Sequence, residues 1–213
     1  LVLISAVLDF STIDFNLNND LPYILFLPAY AATAWYHGKL NFKAPLETAL
    51  KEAEEFAIGE YASALLKGAS LTPEERAVIV EKLSRYTGIS QEFIQRSDLR
   101  ILDRHYFKEL LRERGKTVGR LDSRYTGIDR IGVTETYEYD PLFAQVSGPY
   151  TAAFNDYIRS ELKFETDLPY EILSDKVWMN WSYGYFQNQY VNVAETLRSA
   201  MTFNKYLKVF VAN

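Results

Sequence analysis

The chain opens on a continuous apolar run, residues 1–8, bounded by Asp9, which predicts a strand buried on both faces rather than an alternating surface strand. It closes on a second run, Tyr206-Leu-Lys-Val-Phe-Val-Ala-Asn213, rich in β-branched and aromatic residues. The two runs are each other's best partners. Two strands alone make a marginal sheet, since roughly three or more are needed for independent stability, so the pattern predicts a sheet with further members. Between them the pattern is mainly helical. Asn18-Asn19-Asp20 offers capping side chains before the apolar segment 21–36, which its prolines predict to be broken near Pro28. From Pro45 to Lys67, Leu46, Ala49, Leu50, Ala53, Phe56, Ala57, Tyr61, Ala64 and Leu65 follow helical spacing, while Glu47, Lys51, Glu54 and Glu55 form a solvated face.

Punctuation sharpens the boundaries. Thr72-Pro-Glu-Glu75 is a capping box with proline at the first helical position, and Gly88 closes the helix it starts. Ser90 caps a short helix, and another runs from Asp103 to Arg114, ended by Gly115. From Gly119 through Pro141 the chain is charged, glycine-rich and aperiodic, the longest irregular stretch. Helical pattern returns at 151–162, after a Gly148-Pro149 turn, and at 189–203. The echo of Ser84-Arg-Tyr-Thr-Gly-Ile89 in Ser123-Arg-Tyr-Thr-Gly-Ile128 reads as local turn chemistry, because its flanks differ and a solenoid needs at least three units.

Composition narrows the function classes. Among 213 residues, 48% are hydrophobic, enough for a substantial core. A net charge of −5 without a Lys/Arg run argues against nucleic acid or an anionic membrane as partner. The apolar segment 21–36 has 16 residues where a membrane span needs roughly 20. The absence of cysteine removes disulfides, thiolate catalysis and cysteine-based metal sites, and is silent on compartment. Sixteen tyrosines suggest amphipathic aromatic surfaces. The opening on Leu1 rather than Met reads as processing or as a piece of something longer.

Four motif fragments fail on context. Gly115-Lys-Thr117 lacks the glycine that a phosphate-binding loop requires at position 110, where Leu110 stands. Asp122 and Gly127 suggest a calcium loop, but its twelfth position is Val133. His105 and Glu109 lie one helical turn apart and lack further ligands; His37, the second histidine, reads as a helix-end residue, so no metal and no cofactor are expected. Asn180-Trp-Ser-Tyr-Gly184 differs from a nucleophile elbow in its first residue and follows a polar segment rather than a core strand. Ser182 therefore reads as a loop or packing residue.

Several segments, in order, resemble bacterial serine carboxypeptidase-like proteins: Leu1-Val-Leu-Ile-Ser-Ala-Val-Leu-Asp9, Asn19-Asp-Leu-Pro-Tyr23, Thr33-Ala-Trp-Tyr-His37, Val118-Gly-Arg-Leu-Asp-Ser-Arg-Tyr-Thr-Gly127, Gly148-Pro-Tyr-Thr-Ala-Ala-Phe-Asn-Asp156 and Leu207-Lys-Val-Phe-Val-Ala-Asn213. The resemblance implies an α/β-hydrolase fold with a helical cap, and a Ser-Asp-His triad whose nucleophile precedes Leu1 and whose acid and His follow Asn213. On that reading the chain is mainly α. Residues 1–10 and 205–213 are residual core strands (about 1–8 and 206–211), and 11–204 form the cap over a cleft. No catalytic residue falls inside it. The implied partners are a peptide substrate and the rest of the hydrolase domain, with homodimerisation through bare strands or cap a further expectation, and the implied compartment is periplasmic or secreted. Candidate substrate-facing groups are Arg120, Asp122, Arg124 and Tyr125 in the irregular stretch, and Tyr150 and Asn155 beyond the Gly-Pro turn. Arg and Asp alternating in a glycine-rich loop also commonly tie that loop to itself. Two other readings stay open: a self-contained helical peptide-binding module and a catalytically inactive family member.

Overall fold

The computed structural model describes residues 1–212, apart from the Trp178 side chain; Asn213 of the expected final strand lies outside the described residues. In chain order it runs β1 (Val2–Ile4), α1 (Leu21–Tyr36), α2 (Leu46–Phe56), a π-helical turn (Ala57–Tyr61), α3 (Ala62–Lys67), α4 (Pro73–Thr87), α5 (Gln91–Arg96), α6 (Asp103–Glu109), β2 (Lys116–Val118), β3 (Thr126–Ile128), α7 (Pro141–Ser160), α8 (Asp175–Asn180), α9 (Ala194–Phe203) and β4 (Phe210–Ala212). The expectation of a mainly helical chain holds. It divides into two units, one of Leu1–Pro22 with Asp175–Asn213, the other Tyr23–Ser174. No described helix is long and apolar enough to cross a membrane.

In the first unit β1 and β4 pair in parallel, with Val2 opposite Phe210, Leu3 opposite Val211 and Ile4 opposite Ala212. The partnership expected from the two apolar runs is therefore present, but each strand is only three residues long. Burial on both faces is not: Leu1, Val2, Ile4, Phe210 and Val211 are all exposed within the chain. Past the strands the two segments are joined by backbone bonds, Phe10 N to Val191 O and Val193 N to Leu8 O, each 2.8 Å. The Asn192 amide adds a bond to the Asp9 carboxylate at 2.7 Å. No described side chain in residues 1–21 or 175–212 is buried, so this unit is held by hydrogen bonds rather than by a core of its own.

The second unit has the core. The α2–π–α3 segment buries Ala49, Ala53, Ala57, Tyr61 and Leu65 at a strict spacing of four. In an unbroken α-helix that stripe would drift by about 40° per step; the wider π turn at Ala57–Tyr61 takes up part of the drift and keeps the stripe on one face. The acidic Glu47, Glu54 and Glu55, with Lys51, are exposed, as their spacing predicts. The Thr72 capping box forms in full: the Glu75 amide donates to Thr72 Oγ1 at 3.2 Å and the Thr72 amide to Glu75 Oε2 at 3.1 Å. Gly88 ends α4 in the left-handed region at φ 70°, and Ser90 caps α5.

Buried phenols replace what would otherwise be simple aliphatic packing. Tyr30 and Tyr106 stack with ring centroids 4.0 Å apart, and Tyr106 donates to Tyr30 O at 2.7 Å. Tyr61 donates to Leu99 O at 2.6 Å. Asp98 and Leu99 both lie at positive φ, in a turn that brings the Leu99 carbonyl to that buried hydroxyl. A buried carbonyl without a partner would cost about 1–3 kcal/mol, which is why these core positions carry a hydroxyl.

Five features differ from expectation. α1 is continuous through Pro28, because Leu27, Tyr30, Ala31 and Ala34 around the proline are buried and hold the segment straight enough to stay helical. α7 starts at Pro141 and runs through Gly148 and Pro149, so there is no turn there; its start is set by Asp140, whose Oδ1 accepts the Leu142 amide at 2.9 Å ahead of a first-position proline. The irregular stretch holds β3, which pairs antiparallel with β2 just before it, Thr117 opposite Gly127. The last helix starts at Ala194 rather than 189, and α6 stops at Glu109, with a separate 3-10 turn before Gly115.

Lys108 and Asp129 form an ion pair with side chains 0% and 2% exposed, fastening the end of β3 to α6; the Lys108 ammonium also donates to Ile131 O at 2.7 Å. Beyond the ion pair neither Asp129 oxygen takes a hydrogen bond. We predict that Lys108→Met destabilises the protein by about 3–5 kcal/mol in urea unfolding, whereas the double variant Lys108→Met/Asp129→Leu recovers most of that loss, because the cost lies in the stranded charge. Burial raises the Tyr30 and Tyr106 hydroxyls well above 10.0. Their stabilisation is complete below the unfolded tyrosine pKa and is lost as pH rises from there through the raised folded values, so alkaline titration should show these two tyrosines ionising together with cooperative unfolding above about pH 10.

Candidate functional site

The loop between β2 and β3 gathers four of the six residues singled out by sequence. The short strands fix its two ends, and inside it the Gly119 amide bonds Tyr125 O at 2.9 Å and the Tyr125 amide bonds Asp122 O at 3.2 Å. Gly119 is required here by a close approach: a Cβ would stand 2.5 Å from Asp122 O. Arg124 folds back onto Asp122, with Nε to Oδ1 at 2.9 Å and Nη2 to Oδ2 at 2.6 Å, and its own amide also donates to Oδ1 at 3.0 Å. The guanidinium holds the Asp122 carboxyl below its ordinary range, and the carboxylate pushes Arg124 upward in return.

Arg120 is exposed; its backbone amide donates to Asp140 Oδ1 at 3.4 Å, and its charge acts on Tyr137. The half-exposed Tyr125 stands at the loop's end. Tyr150 and Asn155 belong elsewhere: both lie on α7, with Tyr150 67% exposed and the Asn155 amide spent on Thr151 O at 2.8 Å within the helix. The structure therefore does not put them in the loop's cluster.

Residues that the sequence did not single out complete the loop's support. His37 Nε2 lies 2.7 Å from Ser123 O, and Thr33 Oγ1 lies 2.7 Å from Ser123 Oγ. Thr33 and His37 are four apart on α1 and its end, so one helical face grips both polar groups of Ser123. Between them sits Tyr36, 54% exposed, whose phenol interacts electrostatically with Arg124, as does that of Tyr125. The signal available in the sequence was the i, i+4 polar pair at the end of an otherwise apolar helix.

The motif fragments have ordinary places. Ser182 is exposed after α8, a helix rather than a strand, and its Oγ accepts the Gly184 amide at 3.4 Å. His105 packs edge-on to Phe93 with centroids 6.3 Å apart, while Glu109 pairs with Arg112 at 2.5 Å. The two copies of the echo differ in cause. Gly88 is a left-handed helix cap, whereas Gly127 lies under Tyr139, whose hydroxyl a Cβ would meet at 2.4 Å.

Chemically, the loop offers an oriented guanidinium flanked by phenols on a backbone pinned from two sides; it holds no nucleophile–base pair. Comparison with protein-family models, with curated proteins and with solved structures gives no match to any of them.

Because the Asp122 pKa is depressed, its contribution is present above 3.8 and lost as pH falls through the folded value. The Arg124 Nε proton should keep its paired NMR shift from neutrality down to about pH 4, then move toward the free-arginine position. Asp122→Asn should show the shifted resonance already at pH 7.

Proposed function

We propose that the chain is the helical cap of a serine-type carboxypeptidase of the α/β-hydrolase class, carrying one strand of the catalytic domain's sheet at each end. The observation that carries this reading is the parallel pairing of β1 with β4 with neither face covered. Parallel strands belong to sheets sheathed by helices on both faces, and a pair left bare has the composition of an interior and the exposure of a surface. The remainder of such a sheet, with its helices, is the partner whose apolar faces match Leu1, Val2, Ile4, Phe210 and Val211. A self-contained binding module has no use for such strands.

On this reading the substrate is a peptide, and the reaction removes its C-terminal residue. The serine, acid and histidine come from the catalytic domain. The serine attacks the scissile carbonyl, the histidine takes and returns the proton, backbone amides hold the oxyanion and water releases the acyl group. No metal or cofactor takes part. This chain's contribution is to roof the cleft, limit water and present the Gly119–Tyr125 loop to the substrate. The resemblance of the sequence segments supports the same assignment, and export to the periplasm or medium goes with it.

The test uses the complete reading frame that encodes this chain. Its product should release a free C-terminal amino acid from N-blocked dipeptides and react with a fluorophosphonate at a serine outside residues 1–213, while the 213-residue chain alone shows neither. Labelling of Ser182, or a complete product that neither turns over nor labels, would overturn the assignment.

A further inference from the structure

The Arg124 guanidinium has five N–H donors, of which those at Nε and one at Nη2 are committed to Asp122. This leaves the Nη1–Nη2 edge, the planar fork that accepts a carboxylate in two parallel hydrogen bonds, without a protein partner. The edge is accessible, since the Arg124 side chain is 66% exposed, whereas the Asp122 side chain that holds it is only 26% exposed. An ordinary surface arginine would lose much rotamer freedom on binding. Here that freedom is already removed: Asp122 fixes the guanidinium, and Thr33 and His37 fix the intervening Ser123 through its hydroxyl and its carbonyl. Tyr36 and Tyr125, both exposed, lie near enough to act electrostatically on Arg124, and each brings a hydroxyl and an apolar ring to its neighbourhood.

We propose that the free edge of Arg124, framed by Tyr36 and Tyr125, is a subsite for a peptide's terminal carboxylate. The fork matches a planar carboxylate better than a tetrahedral anion, and the carboxylate paired with Arg124, that of Asp122, holds its Nε side, so it orients the arginine instead of competing for the ligand's place. The ring faces suit an apolar or aromatic residue next to that carboxylate. Thr33, His37 and Asp122 are positioning residues, and Arg124 is the contact. The assignment rests on the carboxypeptidase reading only for its choice of a peptide as ligand; the binding chemistry stands or falls separately.

The experiment is an NMR titration of the 213-residue chain, following Arg124 Nε and the Tyr125 amide. The probes are N-acetyl-alanyl-phenylalanine with a free carboxylate, the same dipeptide as its C-terminal amide, the amidated N-acetyl-glutamyl-phenylalanine and inorganic phosphate. The free acid should bind at least tenfold more tightly than its amide, the fold-change of one charge-assisted bidentate contact being roughly 10 to 100. The glutamyl amide should bind more weakly than the free acid, and phosphate should not reproduce its shifts. Arg124→Gln should lose the preference for the free acid, Arg124→Lys should retain only part of it, and Tyr36→Phe should weaken binding a few-fold with Arg124 intact. Circular dichroism establishes that each variant is folded; if Arg124→Gln is not, the Lys and Phe variants carry the comparison. Equal binding of acid and amide, equal shifts with phosphate, or undiminished selectivity in the Arg124 variants overturns the inference. Carboxylate-selective binding in a protein whose complete product lacks carboxypeptidase activity would overturn the proposed function and leave this subsite standing.

Discussion

A parallel pair of strands cannot be closed by a tight turn, so β1 and β4 require everything between them to act as their connection. That constraint organises the chain. Leu1, Leu3 and Ser5 face β4 through the bonds Phe210 N to Leu1 O and Ser5 N to Ala212 O, so alternation turns the peptide groups of Val2, Ile4 and Val211 to the outer edges. On the proposed reading, these edges and the exposed apolar side chains beside them are where the rest of the sheet would add strands in the same plane and cover above and below. The unit that contains the strands buries no described side chain in residues 1–21 or 175–212, and backbone bonds join its two segments. The unit Tyr23–Ser174, by contrast, holds a core sufficient to itself.

Within that second unit, polar groups are buried where the backbone demands them. The tight turn through Asp98 and Leu99 brings the Leu99 carbonyl to the Tyr61 hydroxyl, and the Ile101 carbonyl just beyond it accepts from Tyr30. Lys108 reaches Asp129 and Ile131 O together and thereby fixes where β3 ends. The loop that carries Arg124 starts from the same hairpin, so its placement follows from the core through Thr117, buried and bonded to Phe107 O at 3.0 Å, and from α1 through Thr33 and His37. A displayed arginine thus stands on a chain of contacts that begins in the tyrosine cluster.

Local chemistry was legible in the sequence wherever it was complete within a few residues. The Thr72–Glu75 box, the Gly88 cap and the Ser90 cap formed as their spacing required, and the parallel partnership of the two apolar runs followed from their composition. What could not be seen was set by tertiary contacts. Pro28 and Pro149 are breakers by local rule, yet both sit inside helices, the first because buried neighbours hold the turn and the second because α7 starts at Asp140-Pro141, eight residues earlier than the Gly-Pro pair. β2 and β3 are three residues each, too short for an alternating pattern. At the candidate site, the Asp122–Arg124 tie was predictable from their separation of two, whereas Thr33 and His37 reach Ser123 across some ninety residues of sequence. Tyr150 and Asn155, expected beyond a Gly-Pro turn, lie instead within the one helix that runs through Gly148 and Pro149.

The central claim is that β1 and β4 are interior strands of a larger parallel sheet, and hydrogen exchange at the outward amides of Val2, Ile4 and Val211 tests it most directly. In the protein as its own gene encodes it in full, the account predicts that these three amides exchange as slowly as those of Phe210 and Ser5, which bond across the pair, and far faster in the 213-residue chain alone. Rapid exchange of all three in the full product would show that nothing pairs with those edges and would contradict the account.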